Sequence, residues 1–443
     1  MRFSPRAFRL LAWAVLLVTV VADATAMAAT GLNDFPRPFF VKIGNERTTA
    51  VDPLTHRKKV YLTSGAQEHY IFYLHTHPWA DGRWILAESS RTRPHGTGEP
   101  GEHQFLAIDT RSGDIYWMAT VPGGVSARIS QARQFHGSYC PATGLLVFLD
   151  MSTTRLYALR MRDGKEVELA TMPPGGSLID SADVSPDGHD ILYMASLRGP
   201  AADATHTGRL YTVYHLGFNP ETMAAVGQPQ VVTSAPGIQG KTALGAPYMV
   251  LPVGHVQFRP GNPQDILLVH EVIGTSSDGA ADLASTWHIK LDGSGLEPLV
   301  ITPVHLWDTH PLFGASGRYV YFARKGGGIY RVGFDSKKVE LLTPEGTGGA
   351  NHLTIDDAED RIVYDTNKGM DWQKLSVPVS PGTIGMLELP SKKTTVLSSV
   401  LWGRNHPRHP HPAISPDGTK VAWNEAVGED KVRIVLMDID AAR

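Results

Sequence analysis

Ala182-Asp-Val-Ser-Pro-Asp-Gly-His189, leading into Ile191-Leu-Tyr-Met194, and Ala413-Ile-Ser-Pro-Asp-Gly-Thr419, leading into Val421-Ala-Trp423, are two distant copies of one unit. In each, a short strand ends at a Ser-Pro-Asp-Gly turn and a very apolar strand follows. Proline presets φ early in the turn and glycine accepts φ > 0 at its end, which is hairpin chemistry. In the second copy Val432-Arg-Ile-Val-Leu-Met-Asp438 adds a third strand that ends on Asp.

Weaker copies are Trp79-Ala-Asp-Gly82 to Ile85, Pro141-Ala-Thr-Gly144 to Phe148, Pro260-Gly-Asn-Pro263 to Val269, Gly314-Ala-Ser-Gly317 to Phe322, and Asp356-Asp-Ala-Glu359 to Tyr364. No convincing long amphipathic helix separates them. Seven units of about four strands predict an all-β fold, a seven-bladed β-propeller. The last unit lacks an outer strand before Arg443, and Lys59-Val-Tyr-Leu-Thr63 is expected to supply it. Closure of this kind removes the sheet edge.

Residues 1–28 read as a secretory signal. Arg2, Arg6 and Arg9 precede an apolar stretch from Leu10 to Ala22, and Ala24-Thr-Ala26 or Ala26-Met-Ala28 offers small-residue cleavage. That stretch is short beside the ~20 residues a spanning helix needs. A periplasmic or secreted protein without a membrane span is therefore expected, with residues 29–443 as one propeller domain. Removing the signal takes the formal charge from −3 to −5, which leaves no basic excess for nucleic acid phosphate. Cys140 is the sole cysteine, so neither an intramolecular disulfide nor a thiolate metal cluster can form. It is expected as a small buried apolar residue.

The innermost strand of each blade precedes the turn, and its start borders the central channel. Before the seven turns stand His75 and His77, His136, Asp180 and Asp183, His255, His310, His352, and His409 with His411. Six of seven units thus carry histidine, and scattered core histidines would not be expected to track the repeat so well. A functional channel mouth is expected.

His409 and His411, in His406-Pro-Arg-His-Pro-His-Pro412, lie two apart in an extended segment. Positions i and i+2 of a strand point the same way, so both imidazoles can converge on one ion. His406 can fold in from the preceding loop. His310, in Trp307-Asp-Thr-His-Pro-Leu-Phe313, holds the same place in a similar strand. His310, His406, His409 and His411 are therefore a candidate metal site closed by two distant strands. The competing reading is a His-Pro-rich surface loop with ordinary hydrogen-bonded histidines. Imidazole ligands suit zinc, manganese, iron, nickel or copper, so they do not name the ion.

With these residues in hand, the chain resembles the oligogalacturonate lyase family of polysaccharide lyases, seven-bladed propellers with TolB-like repeats, over most of residues 29–443. The specific likeness lies in Gly254-His-Val-Gln-Phe-Arg-Pro260, similar to the family's Gly-His-Pro-x-x-Arg-Pro, followed by His270-Glu271, and in Thr309-His310 and His409-Pro-His-Pro412. The resemblance implies cleavage of pectin-derived uronate oligomers with one divalent ion, usually manganese, with zinc or another divalent ion as alternatives. It implies His310, His409 and His411 as metal ligands, with His406 standing where the family has a glutamine. It implies His255 as the base. Arg209, in Thr207-Gly-Arg-Leu-Tyr211, best matches the family's arginine, over a longer stretch to His255 than the family has.

Uronate β-elimination needs such groups. The C5 proton is poorly acidic because its loss piles negative charge onto a carboxylate, and a divalent cation on the carboxylate oxygens withdraws that charge. Arginine can bind the carboxylate or the leaving oxygen through its planar fork. Neutral imidazole can then take the proton. His77 and His352 are candidate substrate contacts, with ordinary channel hydrogen bonding as the competing reading. Arg259 and Glu271 either support the site or form a blade-to-blade ion pair.

His406 and the loops Arg91-Thr-Arg-Pro-His-Gly-Thr97 and Gly199-Pro-Ala-Ala-Asp-Ala204 depart from the family and leave room for another uronate polymer, ulvan- or glucuronan-like. A different class is a non-catalytic propeller of the TolB type that binds proteins or glycans. The Ser-Pro-Asp-Gly repeats fit both classes, and the channel histidines favour the enzyme. A prolyl-oligopeptidase-type propeller fits less well, because there is no Gly-x-Ser-x-Gly elbow and no appended hydrolase domain.

Overall fold

A computed structural model describes residues 40–91, 102–118, 129–130, 137–150, 154–199, 201–241, 247–251, 254–274, 286–301, 308–324, 327–344, 349–366, 379–403, 408–428 and 431–440. The expected signal, residues 1–28, lies outside them, as do His136 and His406. Among the described residues every regular element is a strand, and no helix is long and apolar enough to cross a membrane. Seven antiparallel sheets follow one another along the chain as the blades of a seven-bladed propeller.

The turn chemistry is as the repeat implies. The Ser185 hydroxyl accepts the Asp190 N–H at 2.9 Å and bonds Asp187 at 2.6 Å, while Gly188, at φ +77°, donates to the Ser185 carbonyl. Ser415, Asp417 and Gly418 repeat these bonds in blade 7. The strand after each turn is buried on both faces, as in Leu145–Asp150 and Lys420–Ala426. Such a strand reads in sequence as a continuous apolar run because blades pack against it from either side.

Four of the sheets have four strands each; blades 1, 3 and 7 carry more. Phe40–Asn45 adds to the outer edge of blade 1 against Asp114–Met118. Blade 3 gains Pro247–Leu251 and Glu271–Gly274, the latter reached by a crossover from the blade 4 strand Asp265–Val269. Blade 7 is closed as the sequence predicts: Lys58–Tyr61 pairs with Val432–Asp438, setting Val60 opposite Leu436, and Thr48–Val51 adds a further strand outside it. At this seam Lys59 is buried, with Nζ 3.2 Å from Asp52, 3.0 Å from Glu425 and 2.7 Å from the Ser399 carbonyl.

The core is divided among the blade interfaces. Phe72, Phe105 and Trp84 of blade 1 meet Tyr139, Phe148 and Tyr157 of blade 2. Val60, Leu436 and Ala413 of blade 7 meet Ile71, Trp79 and Trp117 of blade 1 across the closure. Cys140 is a free, buried thiol in the cluster between blades 2 and 3, as expected of a small apolar residue, and burial raises its pKa. Polar rungs tie the innermost strands together near the axis. Asp183 accepts the Phe258 N–H at 2.7 Å, and the Gln257 amide donates to Pro311 at 2.9 Å while its oxygen accepts from Phe313. Trp79 Nε1 donates to the Ala413 carbonyl at 3.1 Å.

Candidate functional site

Four residues before the turns that begin at Arg259, Gly314, Asp356 and Ser415 stand His255, His310, His352 and His411, and His77 stands three before the turn at Ala80. Four of these histidines, together with Asp180 of blade 3, share a left-handed backbone: φ is +56° at His77, +57° at Asp180, +45° at His255, +51° at His310 and +44° at His411. Side chains other than glycine reach this region at a cost, up to about 1–3 kcal/mol, and such residues gather at functional sites. The kinks accompany bulges. Between paired neighbours the innermost strand carries two extra residues around Asp180, one around His310 and one around His352.

Blade 1 carries the largest bulge. Ile71 pairs with Ala87 and Trp79 with Ile85, and the Phe72 N–H and the Pro78 carbonyl both bond Leu86, so residues 73–77 loop out into the channel. The loop is anchored to blade 2 by the Tyr139 N–H on the Thr76 carbonyl at 3.1 Å. It sets Tyr73 among the histidines of three other blades: stacked on His255 with centroids 5.2 Å apart, edge-on to His411 at 5.2 Å, and 6.4 Å from His310. The sequence reading missed Tyr73, because Tyr70-Ile-Phe-Tyr-Leu74 passes for one apolar strand. The signal was the excess length between Ile71 and the Trp79-Ala-Asp-Gly82 turn.

His352, His409 and His411 form a group whose ligand nitrogens lie within 4.8 Å of one another. Coordination bonds of about 2.0–2.2 Å place donor atoms on one ion at most about 4.4 Å apart, so the trio closes on an ion with slight adjustment. His352 and His411 are wholly buried and their rings stand 4.0 Å apart. The His352 Nδ1 is 2.8 Å from a carboxylate oxygen of Asp365, equally buried, which makes Nε2 the nitrogen suited to a metal. Histidine ligands characteristically carry such a partner on the other ring nitrogen. Burial pushes the Asp365 carboxyl well above its ordinary range. His310 lies beside the trio, its ring 4.2 Å from that of His352 and its Nδ1 2.9 Å from the Asn351 carbonyl. The residues present therefore fit one divalent ion, with His352 joining the expected His409 and His411.

His255 lies one blade away from His310, with ring centroids 6.4 Å apart. Its Nδ1 is 3.2 Å from Asp180, whose same oxygen accepts the His255 main-chain N–H at 2.5 Å. Burial alone would raise the Asp180 carboxyl, but His255 and His75 hold it down at about 2. Burial, first of all, and next the nearby His255 hold the imidazoles of His75 and His310 down at about 3. Neutral imidazole is the form that ligates metals and accepts protons.

The other expected residues fall outside this cluster. Arg209 lies on the third strand of blade 3, where its guanidinium bonds Ser196 at 2.7 Å and Ser177, at the start of the innermost strand, at 3.3 Å. Arg259 takes the structural role: it bonds the Gly317 carbonyl and Asp335 of blade 5 and stacks on Phe334. His77 lines a chamber of about 610 Å³ on the turn side of the looped-out segment, together with His75, Asp183, Phe258 and Phe313. Burial lowers the His77 pKa, although its ring faces that chamber. Within it, Asp183 is pushed up to about 7 by burial. The metal trio is not part of its lining.

Fold and site together define a class: a seven-bladed propeller with histidines around its axis, three of them grouped to hold a metal. Among solved structures the chain is similar to an oligogalacturonate lyase in complex with manganese and to the oligogalacturonate lyase of Vibrio parahaemolyticus. Each is 15% identical with a TM-score of 0.67, over 91% of this chain and 98% and 99% of theirs, a likeness of fold. No protein-family model matches the chain, and no curated protein is similar to it in sequence.

Proposed function

We propose that this protein is a periplasmic or secreted polysaccharide lyase that cleaves uronate-containing oligosaccharides, oligogalacturonate-like, by metal-assisted β-elimination. The carrying observation is the juxtaposition, around one axis, of a trio fit for a metal, His352, His409 and His411, with a buried imidazole on an ionised carboxylate, His255 on Asp180. A bound divalent ion, manganese or zinc, supplies the positive charge that makes the C5 proton of a uronate acidic. His310, next to both groups, completes the wall between them. His255 accepts the C5 proton, and Tyr73, stacked on it, fixes the plane of its ring. Arg209, on the third strand of blade 3, is proposed to meet a substrate carboxylate away from the trio.

The test is incubation of the purified, metal-loaded protein with a panel of uronate oligomers, including oligogalacturonate, ulvan and glucuronan fragments, followed by ultraviolet absorbance of the unsaturated product. Product from one member, lost on chelation and restored by manganese or zinc, supports the reading. Absence of unsaturated product from every member sinks it and leaves the non-catalytic propeller.

A further inference from the structure

Asp180 occupies blade 3 at the level where other blades turn a histidine to the axis, and it does so on the same left-handed backbone, φ +57°. A two-residue bulge, between the pairs Ile179 with Met194 and Asp183 with Leu192, brings it there. Its carboxylate reaches across to blade 4 and meets His255 twice: Oδ2 accepts the main-chain N–H at 2.5 Å and lies 3.2 Å from Nδ1 of the ring.

The ring is held on its other sides as well. Tyr73 of the blade 1 loop lies nearly parallel to it, at an interplanar angle of 21°, and His75 of the same loop approaches with centroids 5.2 Å apart. His310 of blade 5 faces it at 6.4 Å. Among these neighbours Asp180 is the anion. A neutral imidazole bears one N–H, and its position is set by what the nitrogens face. A carboxylate beside Nδ1 draws the N–H there and puts the lone pair on Nε2, across the ring.

We propose that Asp180 is a positioning residue for the elimination, holding His255 in the tautomer and orientation in which Nε2 accepts the substrate proton, and standing against the imidazolium that results. The proposal rests on the lyase reading above. In the step, the Nε2 lone pair takes the C5 proton, the C5–H electron pair becomes the C4–C5 double bond, and the C4–O bond breaks. The departing oxygen takes a proton from water, and the hydroxide so formed takes back the proton from the imidazolium. The same arrangement of carboxylate, imidazole and acceptor nitrogen orients the base of hydrolytic triads, where replacing the carboxylate by amide lowers kcat by about 10⁴-fold.

Two measurements test this, one independent of activity. Long-range ¹⁵N–¹H spectra of the protein labelled with ¹⁵N-histidine are expected to show His255 with its proton on Nδ1, and D180N, which keeps an oxygen for the main-chain N–H, to lose that preference. With the uronate oligomer the parent cleaves, D180N is expected to lower kcat by about 10²- to 10⁴-fold while KM and bound metal stay within about twofold. A parent His255 protonated on Nε2, or a D180N protein with the parent's tautomer and turnover, overturns the proposal. If no uronate is cleaved, the lyase reading fails on its own, and the spectra still decide how Asp180 holds His255.

Discussion

The Nδ1 of His352 and a carboxylate oxygen of Asp365 are 2.8 Å apart, and neither side chain is exposed at all. Asp365 also accepts the His352 main-chain N–H at 2.8 Å, so the ring and its backbone are gripped by one residue. Removing such a partner typically costs 10- to 100-fold in metal affinity. Asp365→Asn should therefore weaken binding of zinc or manganese by about that factor, as read by competition with a chelating dye. Unchanged affinity would separate His352 from the metal.

The trio itself is tested by elemental analysis. His409→Ala/His411→Ala should carry less than about a tenth of the metal that the parent holds after equal loading, since two of three neutral ligands are gone. Equal metal content in both proteins would remove the site.

His255 stands beside the group without belonging to it. His255→Ala should therefore keep its metal and its melting temperature within a few degrees, yet lose about 10²- to 10⁴-fold in β-elimination. Near-parental turnover would move the base elsewhere in the channel, with Tyr73 the first residue to replace.

Burial holds His69 down at about 4, and His75 and His310 at about 3. An unfolded histidine takes its proton near 6.5. Below that pH the unfolded chain binds more protons than the folded one, so the stability these groups contribute is whole above about 6.5 and is lost as pH falls toward their folded values. Each group adds a slope of about 1.4 kcal/mol per pH unit in that window. Thermal melts from pH 7.5 to pH 5 should show a steadily falling midpoint, and His69→Gln should flatten the fall.

At the ring closure, Lys59→Met should destabilise the fold by about 3–5 kcal/mol, because Asp52 and Glu425 lose their buried cation. Denaturant unfolding measures it. A loss under 1 kcal/mol would mean that strand pairing of Val60 and Tyr61 alone secures the seam.

The repeat made the architecture legible. Pro-Asp-Gly turns in blades 3 and 7, weaker turns in the other five and the apolar runs behind them mark the inner half of each blade, and the missing strand of blade 7 pointed to Lys59. Counting back from the turns also found the channel histidines, since blades 4 to 7 share one register. What lay beyond the repeat was hidden. Asp365 ends an ordinary second strand, and nothing local says that His352 leans on it. Tyr73 reaches the axis through a bulge, and so does Asp180, whose place before the blade 3 turn is legible in the sequence but whose reach to His255 is not, because the extra residues leave no mark on hydrophobic alternation. Arg259 fitted a catalytic motif, yet its partner Asp335 comes from the next blade, a contact that only packing defines.

Residues 73–77 give the molecule a property of another kind. A propeller's axis is ordinarily a tunnel, but here one phenol ring from blade 1 reaches in among histidines of blades 4, 5 and 7. On the lyase reading proposed above, a sugar chain entering from the histidine side would meet this ring and have to back out before the next segment enters, so successive cuts are expected to be separated by release and re-entry.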